Sequence, residues 1–333
     1  MSGATAAAVN ALPHRVVSWN IGKKGLVGLA AAQPNSGGLR AVFEALGHPA
    51  ILALQETKLS GLEKLTSELA NVPGYTSFFS YCDAATGGSL VRASYAGTAT
   101  YVRHDVRTLA AAPALGAALR GALPLHTEGE ADRLSPHLLT LSAVGDVDNE
   151  GRALLTDHGT FVLVNIYAPA SGREGERPGY KRAFHEALSA RCDALHRRGR
   201  QVLLLGDLNV VALPIDTAWK QQPAPPPQRA APQQQQQQGV DEQADDQQAE
   251  AEDAEGQEED AWSKREWFHS QLEANGGSFV DCFRRAHPAR TAAYTFWSVV
   301  SRCKKKVSAS LYMNTFNTTI NRIAPGFVAG FLR

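Results

Sequence analysis

The sequence has little with which to cross-link itself or to cross a bilayer. Its four cysteines, Cys82, Cys192, Cys282 and Cys303, lie far apart with no C-x-x-C pair among them. Neither a zinc module nor a disulfide framework is indicated, and the thiols are read as reduced. No stretch approaches the ~20 consecutive apolar residues of a membrane span. Residues 1–14 lack a basic start and a long apolar run, so no signal peptide is expected. These absences lead us to expect an intracellular soluble protein with no membrane partner. Two narrower gaps matter as well: residues 241–260 hold eleven Asp or Glu without one Lys or Arg, and no histidine follows His287.

What is present is globular. Of 333 residues, 44% are hydrophobic and 20% charged, enough for a sizeable core. Basic and acidic residues balance at 33 each, but outside the 241–260 window 33 bases face 22 acids, a net of +11. A basic body with an acidic appendage suits an anionic partner.

Four short apolar runs read as strands buried on both faces: 15–21 (RVVSWNI), 50–56 (AILALQE), 161–167 (FVLVNIY) and 201–207 (QVLLLGD). Residues 95–103 suggest a further strand, 110–122 is too rich in Ala and Leu to assign, and no repeat is visible. Helices are expected in the intervals. Ser60 and Glu63 fit a capping box opening a helix to about Asn71. Tyr180, Phe184, Leu188, Cys192 and Leu195 recur at helical spacing until Gly199 closes that segment. The alternation is that of a layered α/β protein. From 221 to 260 the composition shifts to Pro, Gln, Ala and acid, with six glutamines at 233–238, and is read as a disordered insertion within the domain. Packed structure is expected to resume near Trp262, with Trp267, Phe268, Leu272, Phe279, Cys282 and Phe283 as apolar anchors.

Each of the four buried runs ends in groups able to do chemistry. Asp207 and Asn209 are two residues apart and therefore share a face, suited to holding and deprotonating a water. Alone they would read as a turn or helix cap. Glu56, at the end of a buried run, must be paired, hydrated or bound to a cation. Magnesium is the natural choice, because it takes one or two carboxylates and keeps its waters, though an ion pair with Lys58 or a neighbouring Arg serves equally well. Asn20 adds an amide. Asn165 and Tyr167 share a face, and a phenol there donates to a phosphoryl oxygen or simply caps a core strand.

Taken together, Ser18-Trp19-Asn20, Leu54-Gln55-Glu56-Thr57-Lys58, Asn165-Ile166-Tyr167-Ala168-Pro169 and Gly206-Asp207-Leu208-Asn209 resemble, in order and approximate spacing, the exonuclease III-like apurinic/apyrimidinic endonucleases of the endonuclease/exonuclease/phosphatase superfamily. Residues 150–153 (EGRA), 214–216 (PID), 279–284 (FVDCFR) and His287-Pro288 look most like the apurinic/apyrimidinic endonuclease 2 branch. The resemblance covers about 15–303, outside the insertion. It implies a DNase I-like four-layer αββα sandwich and magnesium-dependent DNA hydrolysis, with manganese as a substitute, 5′ to an abasic site or from a 3′ end. By the same resemblance Glu56, Asn20, Asp207 and Asn209 surround the metal. Asp207 orients or deprotonates the attacking water, Asn209 stabilises the transition state and Tyr167 serves the scissile phosphate. Arg173 is similar to the family's DNA-contacting arginine, and Phe296 and Trp297 to the lining of the pocket for an extruded abasic sugar, although both also suit core packing. A monomer acting in nuclear base excision repair on abasic or 3′-blocked DNA is the implied setting, the acidic insertion being available to a protein partner.

Three departures temper the implied activity. Two positions after Asn20 stands Gly22 where the family usually has Asp or Asn, followed by residues 23–36, expected as a loop. Beyond Trp297 neither the family's Arg-(Ile/Leu)-Asp strand nor its Ser-Asp-His motif occurs, so 304–333 reads as a divergent tail and the sandwich as lacking its last strands. The zinc-binding and clamp-interaction segments of some branch members have no counterpart. The competing expectation is a catalytically inactive DNA-binding or interaction protein.

Overall fold

In a computed structural model the described residues are 15–33, 37–59, 64–81, 96–116, 120–121, 147–170, 178–216, 265–291 and 313–314. The chain forms two compact units: residues 1–209, 270–290 and 310–333, and residues 210–269 and 291–309.

The larger unit contains two sheets. In chain order its elements are β1 (Val16–Asn20), α1 (Gly25–Ala31), α2 (Gly38–Ala45), β2 (Ile51–Gln55), α3 (Ser67–Ala70), β3 (Tyr75–Ser80) and β4 (Thr98–Arg103). There follow β5 (Ala110–Ala112), β6 (Arg120–Gly121), β7 (Ala153–Asp157), β8 (Val162–Tyr167), α4 (Pro178–Arg197), β9 (Val202–Asp207), β10 (Val280–Asp281), α5 (Cys282–Ala286) and β11 (Met313–Asn314). The first sheet runs β1-β2-β4-β3 and the second β10-β11-β9-β8-β7-β5-β6. Two pairs are parallel, β1 with β2 and β8 with β9. Parallel neighbours need a crossover, supplied by α1–α2 in the first case and by α4 in the second. The 304–333 tail contributes β11, which pairs with Leu203–Leu204 of β9.

Strand alternation builds the layers. Val16, Ile51, Ala53 and Val102 of the first sheet pack against Phe161, Leu163, Leu203 and Leu205 of the second, forming the core between the sheets. The intervening residues, Val17, Leu52, Leu54, Ala99 and Tyr101, face outward onto Leu26, Leu39, Val42, Phe43 and Leu69. Those five come from α1, α2 and α3. Phe184, Leu188 and Leu195 of α4 are buried, and α4 packs on β9. The result is the expected αββα order of layers. Every apolar position of β2, β8 and β9 is buried, as a strand covered on both faces requires. Truncating one fully buried Leu here, such as Leu163→Ala, costs about 2–5 kcal/mol.

Two local expectations change. Residues 23–36 are not all loop: Gly25–Ala31 is helical because Leu26, Leu29 and Ala30 fall at i, i+3 and i+4 and pack into the core. Ser60 and Glu63 of the expected capping box lie outside the described residues; within them Thr66 is extended at ψ 159° and α3 starts at Ser67. Its end at Asn71 matches. The 110–122 stretch yields β5 and β6. Among the described residues Cys192 and Cys282 are free thiols. Burial pushes the Cys192 thiol up to about 12, so it stays protonated. No described helix is long and apolar enough to cross a membrane. In the smaller unit, Arg265 Nε donates to Val211 O at 3.1 Å, and His269 Nε2 lies 2.8 Å from Ala212 O.

Candidate active site

The carboxyl ends of β1, β2, β8 and β9 lie at one rim of the larger unit, the end at which parallel strands present ligand-binding groups. Asn20 Nδ2 donates to Glu56 Oε1 at 3.0 Å and to Asp207 Oδ2 at 2.8 Å, so one amide meets carboxylates 36 and 187 residues further along the chain. Its Oδ1 accepts from Gly22 N at 2.9 Å, which fixes the orientation. The Tyr167 phenol lies close enough to Glu56 and Asp207 to feel both charges. Asn209 N donates to Asp207 Oδ1 at 3.0 Å while Asn209 Nδ2 donates to Ala168 O at 2.7 Å. Lys58 Nζ lies 3.2 Å from Glu56 Oε2, the ion pair weighed above. Asn20, Glu56, Tyr167, Asp207 and Asn209 are thus one partly exposed cluster. Arg173, Phe296 and Trp297 lie outside the described residues.

Electrostatics at this rim favour proton chemistry. Burial raises the Asp207 carboxyl above its ordinary range, and the Glu56 charge adds to the rise. Hydrogen bonds from Asn20 and from the Asn209 N–H, with the Arg152 charge, oppose it without cancelling it. A carboxylate held this way is a better base than one in water. Burial raises the Tyr167 phenol as well, helped by Glu56 and Asp207 and opposed by Arg152, so the phenol keeps its proton and acts as a donor.

Two residues with no role assigned from sequence shape the site from beneath. Arg152, buried, sets its guanidinium carbon 4.9 Å from the centre of the Tyr167 ring and donates through Nη1 to Tyr167 O at 3.1 Å. Glu150 accepts from Arg152 Nε at 2.6 Å. The Glu-x-Arg spacing just before β7 was the available signal, but its target appears only when β7 lies beside β8.

The donor set is oxygen-rich: two carboxylates bridged by one amide, partly open to solvent. That fits a hard divalent cation which takes one or two protein carboxylates and completes its shell with water and substrate oxygens. Among the described residues no three His, Cys, Asp or Glu side chains gather into a fuller cage. Glu56 would hold such an ion, with the Asn20 amide and the Asp207 carboxylate beside it.

Residues 17–281 match the Endonuclease/Exonuclease/phosphatase family. The chain is 33% identical to DNA-(apurinic or apyrimidinic site) endonuclease 2 of Mus musculus over an alignment of 311 positions, covering 86% of this chain and 51% of that protein. The Homo sapiens protein of the same name is 32% identical with the same coverage. The chain therefore spans about half the length of the curated relatives it matches. Among solved structures the Xenopus laevis APE2 catalytic domain is similar in fold, with a TM-score of 0.62 at 24% identity, covering 90% of this chain and 82% of that one. AP endonuclease LMAP from Leishmania major follows with a TM-score of 0.57 at 24% identity, covering 90% and 78%. With a DNase I-like fold, four strand ends converging on one rim and a family match across most of its length, the chain belongs to the endonuclease/exonuclease/phosphatase family.

Proposed function

We propose that this protein is a DNA-repair phosphodiesterase that hydrolyses DNA 5′ to abasic sites and removes 3′-terminal groups and nucleotides, with magnesium as its cofactor and the nucleus as its place of work. The observation that carries this reading is the Asn20 amide bonded at once to Glu56 and Asp207. That contact brings a cation-binding carboxylate and a basic carboxylate within one phosphate's reach. Relatives named DNA-(apurinic or apyrimidinic site) endonuclease 2 support the choice of an abasic substrate.

Asp207 accepts a proton from water, and the water oxygen attacks phosphorus in line with the 3′ oxygen. The P–O3′ bond breaks and the departing O3′ takes a proton from solvent water, leaving a 3′-hydroxyl on one fragment and a 5′-deoxyribose phosphate on the other, while Asp207 releases its proton to solvent. The Tyr167 hydroxyl, kept protonated, donates to a non-bridging phosphate oxygen, and the Asn209 amide donates as charge develops there. Asn20 keeps both carboxylates aimed. A divalent ion held by Glu56 would supply neutralisation of phosphate charge and stabilisation of the leaving oxygen.

The test is cleavage of an abasic duplex and of a 3′-recessed duplex by pure protein in magnesium. Product 5′ to the abasic site, abolished by chelation and reduced at least ~10²-fold in Glu56→Gln, is expected. Salt-sensitive DNA binding without any product in magnesium or manganese would establish the inactive DNA-binding reading instead.

A further inference from the structure

The site draws its parts from both sheets. Asn20 ends and Glu56 follows strands of the first, while Tyr167 and Asp207 end strands of the second and Asn209 follows one. The core between the sheets is largely aliphatic, with Phe161 and the partly buried Phe78, and such packing has no directional preference fine enough to fix a hydrogen bond across the join. Polar contacts cross it as well: Thr98 Oγ1 donates to Gly151 O at 3.3 Å toward one side, and a denser group lies directly under the site. Gln55 and Asn165, both essentially inaccessible to solvent, meet between the sheets with Gln55 Nε2 donating to Asn165 Oδ1 at 2.8 Å. Gln55 Nε2 also lies 3.1 Å from Ser18 Oγ. Asn165 Nδ2 reaches Ala99 O at 3.0 Å, and Leu54 O and Thr100 Oγ1 at 3.3 Å.

This knot ties β8 of one sheet to β2 and β4 of the other, with Ser18 of β1 holding Gln55 from within its own sheet. It sits one layer below the rim: Ser18 precedes Asn20 by two residues, Asn165 precedes Tyr167 by two, and Gln55 adjoins Glu56. A one-residue slide of one sheet past the other would break the bonds from Asn165 to Gln55, Leu54, Ala99 and Thr100 together, while the Ser18–Gln55 contact, internal to the first sheet, would travel with it. We propose that Gln55 and Asn165 are positioning residues, a buried cross-sheet pin that holds the two halves of the site in register. Directional polar contacts inside an apolar core specify one arrangement among several of similar packing energy. The consequence for catalysis rests on the phosphodiesterase reading; the pin itself does not.

The test replaces both partners by apolar side chains of similar size, Gln55→Met with Asn165→Leu, so that neither amide is left facing an empty partner. Melting, affinity for an abasic duplex, single-turnover cleavage in magnesium and a crystal structure are compared with wild type. A cooperative melt, duplex affinity within about threefold of wild type, cleavage slowed more than about tenfold and loss of the Asn20–Asp207 hydrogen bond are expected. Cleavage within about threefold of wild type with that bond intact overturns the proposal. So does slow cleavage with the bond intact. Should the double variant not fold, Gln55→Met alone, which keeps every Asn165 Nδ2 bond, is measured the same way and judged by the same outcomes. If wild-type protein cleaves nothing, the phosphodiesterase reading fails, and the two crystal structures still decide whether the pin sets the register.

Discussion

Removing the Arg152 guanidinium gives a stability change large enough to separate charge pairing from packing. Arg152 and Glu150 side chains are 4% and 3% exposed, and Nε meets Oε2 at 2.6 Å. Arg152→Met leaves the Glu150 carboxylate buried without that cation, a loss of about 3–5 kcal/mol for pairs of this kind. At about 2–4 °C per kcal/mol for a domain of this size, the melting temperature should fall by about 6–20 °C. Glu150→Met combined with Arg152→Met removes both charges and fills similar volume. It should recover most of the loss, because a buried pair replaced by apolar side chains is often neutral or better. Recovery should stop short of wild type by up to about 2 kcal/mol, the worth of a desolvated guanidinium over the Tyr167 ring. Calorimetry of the three proteins in chelator measures all of this. If Arg152→Met melts within about 2 °C of wild type, or the double variant melts no higher than the single one, the buried pair does not carry the energy assigned to it.

Burial holds Asp207 above the usual carboxylate range, so its folded-state pKa exceeds the unfolded one. A raised pKa contributes stability below the unfolded value of about 3.9, and that contribution is lost as pH rises through the folded value. At pH 7 without metal, Asp207→Asn should therefore melt higher than wild type, the gap closing toward pH 4, while cleavage falls at least ~10²-fold; a lower melting temperature at pH 7 contradicts the charge argument. Tyr167→Phe keeps the ring over Arg152 and removes the donor, so cleavage should slow by about 10–10³-fold with little change in melting, and a wild-type rate would remove the phenol from the mechanism. Gly206→Ala places a Cβ 1.9 Å from Ile166 O at φ +128°, where β9 passes β8. More than about 4 kcal/mol should be lost, seen as insolubility or a drop in melting temperature above about 10 °C; soluble protein with wild-type melting would show that the strands can part.

Much of this arrangement was legible because its signals are local. The runs that became β1, β2, β8 and β9 are apolar on both faces, and α4 follows its helical spacing to a left-handed Gly199. Strand alternation put Asn165 on the face of Tyr167, and Asp207 with Asn209 at one end. The same logic did not show that Asn165 lies a layer deeper, fully enclosed and bonded to Gln55 110 residues away in sequence. Nor did it show that Arg152 underlies Tyr167, since that depends on β7 pairing antiparallel with β8. Helix α1 was hidden by its two glycines, which weaken a helical reading until Leu26 is seen buried.

Alternation also predicts the wrong place for Glu56, and the backbone corrects it. Along β2, Ile51 and Ala53 face the second sheet while Leu52 and Leu54 face the helices. Gln55 returns to the inter-sheet side, so a regular strand would turn Glu56 toward the helices. Instead Glu56 takes φ +58° and Lys58 φ +56°, left-handed values that side chains other than glycine and asparagine rarely adopt. Each costs roughly 1–2 kcal/mol. The surrounding hydrogen bonds hold the turn: Thr57 N to Gly97 O at 3.0 Å, Lys58 N to Ala96 O at 2.8 Å and Leu26 N to Thr57 O at 2.9 Å. The inversion swings the Glu56 carboxylate back over the rim, onto Asn20 and Tyr167. Asn209, at φ +50°, makes a similar departure after β9 with a side chain that tolerates it. Three of the four non-glycine residues with positive φ among the described residues therefore stand in the site. Strain concentrated at the residues that hold charge, and absent from the strands that carry them, is what a site built for chemistry on a stable sandwich requires.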